Sequence, residues 1–166
     1  MAPPPSYAVS PFVSLIVRVL TFICLIISLI LLATATGTAS TTYVEVQVRF
    51  KDFIAYRYLC AAVVIGLVYT AMQTGFTIFQ ITTGNRFGGD GLVFIDFYGD
   101  KAASYILGTG GAASIGMAVD LKDIGDALGI SHFMSITNAA ASLCLLAFVF
   151  TAVSSVFSSF ALPKRA

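Results

Sequence analysis

The sequence predicts an all-α integral membrane protein, a four-transmembrane-helix bundle with a short strand in the first outer loop. Three observations carry this. First, 58% of the 166 residues are hydrophobic and only 10% are charged, against roughly 25% charged in a soluble domain. Second, the charges are bunched. Residues 19–44, 58–85, 102–119 and 133–163 hold none, and each run reaches or approaches the ~20 residues of a transmembrane helix. Third, these runs are apolar throughout, whereas barrel strands alternate in segments of ~10 residues. A soluble globular fold is therefore excluded. A nucleic-acid partner is excluded as well, because the net charge is +1 and no basic patch occurs.

Residues 1–11 are uncharged and hold four prolines, a composition that predicts an extended, disordered cytosolic tail. The first span is predicted at 12–34. The segment from Arg18 to Ala35 also has the form of a signal peptide, ending in Ala33-Thr34-Ala35. Its apolar stretch, however, begins at Phe12 and reaches 21 residues by Leu32, longer than the ~7–15 of such an h-region. A retained span is expected. In the loop that follows, Val44, Val46, Val48 and Phe50 alternate with Glu45, Gln47 and Arg49. That period of two predicts a short strand.

The second span is predicted at 53–81, followed by a tight glycine-rich turn over 83–91. The third is predicted at 92–119, with Asp96, Asp100 and Lys101 inside its first third. A polar loop over 120–131 leads to the fourth span, 133–160. The four spans make up one transmembrane domain, 12–161, and 162–166 form a second cytosolic tail. Lys and Arg outside the spans divide evenly between the two sides. Arg18, near the start of the first span, tips the orientation toward both termini inside.

Catalytic and metal chemistry find no motif. The single histidine, His132, has no cysteine or second histidine near it, and a metal site needs three or four converging ligands. Cys24, Cys60 and Cys144 all fall inside spans, where a free cysteine acts as a small apolar residue. Asp120, Asp123 and Asp126 lack the spacing of a calcium loop and read as a solvated helical turn. No enzyme activity and no cofactor are expected.

Two signals remain. Helices in lipid associate through small residues, and Ser104, Gly108, Ala112 and Gly116 recur at steps of four in the third span. Similar small or polar stripes mark the other three spans. The second signal is charge. Arg18 lies six residues past Phe12 and Asp100 eight past Leu92, which puts both about 9–12 Å from the same end of two parallel helices. A charge in hydrocarbon normally faces a partner, so an ion pair between Arg18 and Asp100 is expected. Asp96, one turn earlier on the same face, is a secondary member. Snorkelling of Arg18 is the alternative, but it leaves Asp100 unexplained.

An arginine early in the first span (Leu15-Ile16-Val17-Arg18-Val19-Leu20) and an aspartate early in the third (Phe97-Tyr98-Gly99-Asp100-Lys101-Ala102) resemble the CASP-like (Casparian strip membrane protein-like) family of plants, related to MARVEL-type tetraspan proteins. Tyr56-Arg57-Tyr58 and the short basic tail are similar too. The resemblance covers nearly the whole chain from Pro11. It implies a plasma-membrane protein with both termini cytosolic, forming homo-oligomers and hetero-oligomers with related tetraspan proteins. In founding members it implies a non-enzymatic scaffold that organises a membrane domain and positions cell-wall-modifying proteins. Residues 42–48 do not match the aromatic-rich outer-loop stretch of the true Casparian members, so the likeness is to the broad family. The alternative function is a small channel or proton-coupled transporter using Arg18, Asp96 and Asp100, since intramembrane charges are functional candidates by default. Transporters usually show repeats or broken helices, and no proline interrupts any predicted span here.

Overall fold

The computed structural model describes residues 11–41, 44–83 and 89–160. Helix α1 (Pro11–Thr34) leads into a hairpin of β1 (Thr36–Thr41) and β2 (Val44–Arg49). A 3-10 turn over Phe50–Asp52 precedes α2 (Ile54–Thr83), and α3 (Gly89–Asp120), α4 (Lys122–Ala127) and α5 (Ser131–Phe160) complete the chain. The tails at 1–10 and 161–166, and the centre of the glycine-rich turn, lie outside the described residues.

Helices α1, α2, α3 and α5 are long and apolar enough to cross a membrane. At 1.5 Å per residue their 24, 30, 32 and 30 residues measure roughly 36–48 Å, more than the ~30 Å of hydrocarbon. They form a ring in which α1 and α3 each pack against α2 and α5. The pairs α1/α3 and α2/α5 are therefore the diagonals. Neighbours run antiparallel. Tyr69 meets Asp100 while Ala55 meets Ser114, and Ser154 meets Asp100 while Cys144 meets Leu107.

The outside is what a lipid solvent selects: Ile16, Ile23, Ile30, Ile65, Val68 and Met72 stand exposed. Inside, Leu25, Leu32, Leu59, Val63 and Leu107 pack against the small Ala140, Ala141, Cys144 and Ala147. Small residues allow close approach, and Ser28 donates to the Ala140 carbonyl at 2.8 Å across α1 and α5. Other buried hydroxyls bond within their own helix, as Thr70 to Gly66, Thr77 to Gln73 and Thr151 to Ala147. A hydroxyl so paired leaves no orphan in hydrocarbon.

Four local expectations change. The predicted strand is one half of a hairpin, with Thr36 opposite Arg49 and Thr41 opposite Val44. Its partner, Thr-Gly-Thr-Ala-Ser-Thr, has no apolar alternation and gives no strand signal of period two. Phe50 leaves the alternation to start the 3-10 turn, held by the Arg49 N–H donating to Asp52 Oδ2 at 2.8 Å. Helix α3 begins at Gly89 and α5 at Ser131, earlier than hydrophobicity indicates, because polar first turns still complete the helical ladder. The polar loop holds the short helix α4, whose buried Gly125 packs on Met134. Gly129 takes φ +72°, a left-handed conformation that favours glycine, and turns the chain from α4 into α5.

Helices approach closely at Gly66 and Gly110, where a Cβ would fall 2.9 Å from Leu107 Cδ2 and 2.8 Å from Ala62 Cβ. Gly110→Ala sets a methyl against an equally rigid methyl, so α2 and α3 must part. It should cost about 1–3 kcal/mol, the usual penalty of overpacking. Gly75→Ala, with nothing within 4 Å of the new carbon, should instead stabilise by about 0.5–1 kcal/mol from helix propensity. Thermal unfolding of the two variants in detergent micelles checks the contrast.

Candidate functional site: a buried charged cluster

The inward face of α1 reads Arg18, Thr21, Leu25, Ser28 and Leu32, all buried, at spacings of three and four. On α3 the inward face reads Asp100, Ser104, Leu107, Gly111, Ser114 and Ala118. Arg18 lies seven residues into α1 and Asp100 eleven into α3, so their backbones sit about 10 and 16 Å from the helix starts. The long arginine side chain spans the offset. Arg18 Nη2 stands 3.7 Å from Asp100 Oδ2, with 7% and 3% of the two side chains exposed. The pair runs along a diagonal of the ring, between helices that are not packed neighbours.

The other diagonal supplies hydrogen bonds. Tyr69 of α2 donates its hydroxyl to Asp100 Oδ1 at 2.7 Å. Ser154 of α5 donates to Asp100 Oδ2 at 2.9 Å. Gln73, one turn beyond Tyr69, donates Nε2 to the tyrosine oxygen at 2.9 Å. All four spans therefore converge on one carboxylate. Gly99 makes room for this, since a Cβ there would lie 2.6 Å from the Tyr69 oxygen and 2.7 Å from Cε2. Asp96 is half-buried, and its carbonyl oxygen accepts from Tyr69 at 3.3 Å. Lys101 is exposed, with Nζ 5.7 Å from the centre of the Phe97 ring.

Sequence reasoning misses Tyr69, Gln73, Gly99 and Ser154. The available signal is weak: Gln73 stands among Thr70, Thr74 and Thr77 in a span otherwise almost free of amides. The predicted ridge divides. Ser104 is buried and Gly108 packs against the Phe148 ring, but Ala112 is exposed and Gly116 has nothing within 4 Å of a Cβ. Helix geometry divides the ridge. A step of four overshoots one helical turn by about 40°, so three steps swing the row about 120° around the helix. Gly110 and Gly111 take up the close contacts instead, against Ala62 and Leu145.

Among the described residues no group of three or more His, Cys, Asp or Glu is placed to hold a metal. The cysteines are free, Cys24 and Cys144 buried and Cys60 half-buried. From the cluster toward the far end the described core holds no charged side chain: it is built from Leu25, Val63, Leu107, Cys144, Leu59 and Leu32, with the buried Ser28, Ser114 and Thr137 hydroxyls each donating to a backbone carbonyl. Arg18 Nη2, Tyr69 Oη and Ser154 Oγ all engage one carboxylate, and the bundle is tied together there.

The Casparian strip membrane protein domain matches residues 8–161. The chain belongs to this family. It is 51% identical over 167 residues to CASP-like protein 4D1 of Ricinus communis, covering 99% of each chain. To CASP-like protein 4D1 of Populus trichocarpa it is 48% identical, over 95% of this chain and 90% of that one. To CASP-like protein 4D2 of Arabidopsis thaliana it is 46% identical, over 99% of each. No solved structure matches. The chain is thus a multi-pass membrane protein of the CASP-like family, with relatives in plants.

Removing one partner of a buried pair strands the other, at about 3–5 kcal/mol. Arg18→Ala and Asp100→Ala should each destabilise the folded bundle on that scale. The double variant should recover much of either loss, because no charge is left uncompensated. Losses that simply add would mean that the two side chains do not interact. Tyr69→Phe should cost about 1.5–3 kcal/mol, the worth of a hydrogen bond to a charged group. Unfolding in micelles with increasing denaturant reads all four.

Proposed function

We propose that this CASP-like protein is a non-enzymatic scaffold that self-associates in the plasma membrane, with both termini in the cytosol. One observation carries the reading. The outward face of α3, Ala102, Tyr105, Thr109, Ala112, Gly116 and Val119, is exposed at alternating steps of three and four. Its centre is small, where a helix turned only to lipid has no need of small residues. Small outward residues let a second helix approach closely. On this reading copies of the chain, and related tetraspan proteins, assemble through α3 into a membrane domain that holds cell-wall-modifying proteins in place. Arg18 and Asp100 are the only charged side chains buried among the described residues, which supports a structural role for the pair over a relay across the membrane.

Ala112→Leu and Gly116→Leu should reduce the size of the assembly, measured by crosslinking in membranes and by light scattering in detergent. The unfolding temperature of the bundle should hardly move, because neither side chain enters the core. Unchanged assembly size would remove α3 as the interface. Ion or proton flux through reconstituted protein would favour the channel instead.

Orientation is tested separately with an impermeant thiol reagent on intact cells. Gln47→Cys and Asp123→Cys, both at exposed positions on the hairpin and α4 end, should label above the parent chain. Thr83→Cys, exposed at the other end, should not. The reverse pattern would place the termini outside.

A further inference from the structure

Four buried side-chain polar atoms among the described residues have no hydrogen-bond partner: Arg18 Nε, Arg18 Nη1, Gln73 Oε1 and Tyr56 Oη. Three of the four belong to two residues that line the same cavity. That cavity is walled by Arg18, Thr21, Tyr69, Thr70, Gln73, Asp100, Thr151 and Ser154. Arg18 and Gln73 are 6% and 4% exposed, so bulk solvent does not satisfy these groups. An unpaired buried donor or acceptor costs about 1–3 kcal/mol, and buried polar groups in native proteins almost always have a partner.

The chemistry of the walls selects what completes them. Two guanidinium nitrogens, which carry three N–H donors between them, call for acceptors, and the Gln73 carbonyl calls for a donor. An anion would suit Arg18 but would face the Asp100 carboxylate and the Gln73 oxygen. A cation would suit those two oxygens but would face Arg18. The occupant must be neutral and must both donate and accept. The size is equally restrictive. The cavity offers about 10 Å³, close to the ~10–15 Å³ that admits a single water molecule.

We propose that one ordered water is a built-in part of this bundle, bound between Arg18 and Gln73. It accepts one N–H from Arg18 Nε and one from Arg18 Nη1, which fills its two lone pairs, and it donates one hydrogen to Gln73 Oε1. Its second hydrogen has hydroxyl oxygens within the same walls. Thr21, Thr70 and Thr151 donate to Val17, Gly66 and Ala147 of their own helices, which leaves their lone pairs open to accept. With three or four partners the water meets the usual requirement for a buried site. Arg18 thus shares its charge between Asp100, through Nη2, and a fixed solvent molecule, through its other nitrogens. The site holds whether or not the protein acts as a scaffold.

The test is a crystal structure of the full chain grown from a lipid mesophase, at a resolution that shows ordered water, with bromide replacing chloride. The expected result is a single compact peak within hydrogen-bond distance of both Arg18 and Gln73 Oε1, without anomalous bromide signal. An anomalous peak would overturn the proposal in favour of an anion. Side chains closed onto one another, with Arg18 Nε and Nη1 bonded to protein and no peak, would overturn it as well. Gln73→Met removes the acceptor and should lose the peak, with Arg18 still paired to Asp100. A peak that persists in Gln73→Met would refute the assigned partners, and the wild-type map decides the matter if that variant does not fold.

Discussion

A carboxylate inside a bilayer needs partners, and Asp100 draws them from every other span. Arg18 comes from α1, Tyr69 from α2 and Ser154 from α5. This fixes something that apolar packing leaves loose. Lipid tails are as apolar as leucine, so helices gain little hydrophobic free energy by leaving lipid for one another. Sliding one helix by a residue shifts its side chains about 1.5 Å along the axis. Apolar contacts tolerate such a slip, but a hydrogen bond of 2.7 Å does not. Asp100 thereby sets a common level for four helices, and the diagonal pair with Arg18 draws together two that do not pack directly.

Away from that level other forces take over. The middle of the bundle is held by close approach, through Gly66, Gly110 and Gly111 and by the Ser28 bond to the Ala140 carbonyl. At the far end Phe53, Tyr56 and Phe133 form an aromatic cluster, with ring centres 5.6–6.2 Å apart. Two of its contacts are edge-on, the arrangement that the ring quadrupoles favour. There the hairpin sits against α5, with Gly37 on Phe133. An electrostatic lock near one end and an aromatic cap at the other leave the small-residue middle to set the helix spacing.

The spans were legible because charge is excluded from hydrocarbon so strongly that its absence marks each helix. Arg18 and Asp100 stood out for the same reason. Tyr69 and Ser154 did not, because hydroxyls are common in spans and most bond their own backbone, as Thr70 and Thr151 do. A hydroxyl that reaches across to another helix looks no different in sequence. The limits of α3 and α5 were blurred because the helical ladder continues past the edge of the apolar stretch. Strand β1 was invisible because pairing with β2, and not its own pattern, makes it a strand. The ridge on α3 was half legible. A row of fours begins inside and ends outside, whereas the buried face follows alternating fours and threes from Asp100 to Ala118.

The buried and exposed faces of α3 are coupled. Asp100 and Ala102 lie about 200° apart around α3, so the row that begins at Asp100 and the row that begins at Ala102 occupy opposite faces. Once Asp100 is engaged by Arg18, Tyr69 and Ser154, the rotation of α3 about its axis is fixed. Ala112 and Gly116 must then face outward, and Gly110 and Gly111 inward. A helix anchored by apolar contacts alone could turn by a fraction of a step at little cost and present a different edge to a neighbour. The buried charge removes that freedom. In a scaffold built from repeated contacts between copies, an error in rotation would propagate from one copy to the next. A costly intramembrane aspartate is on this view the device that makes the outer face of α3 the same in every copy.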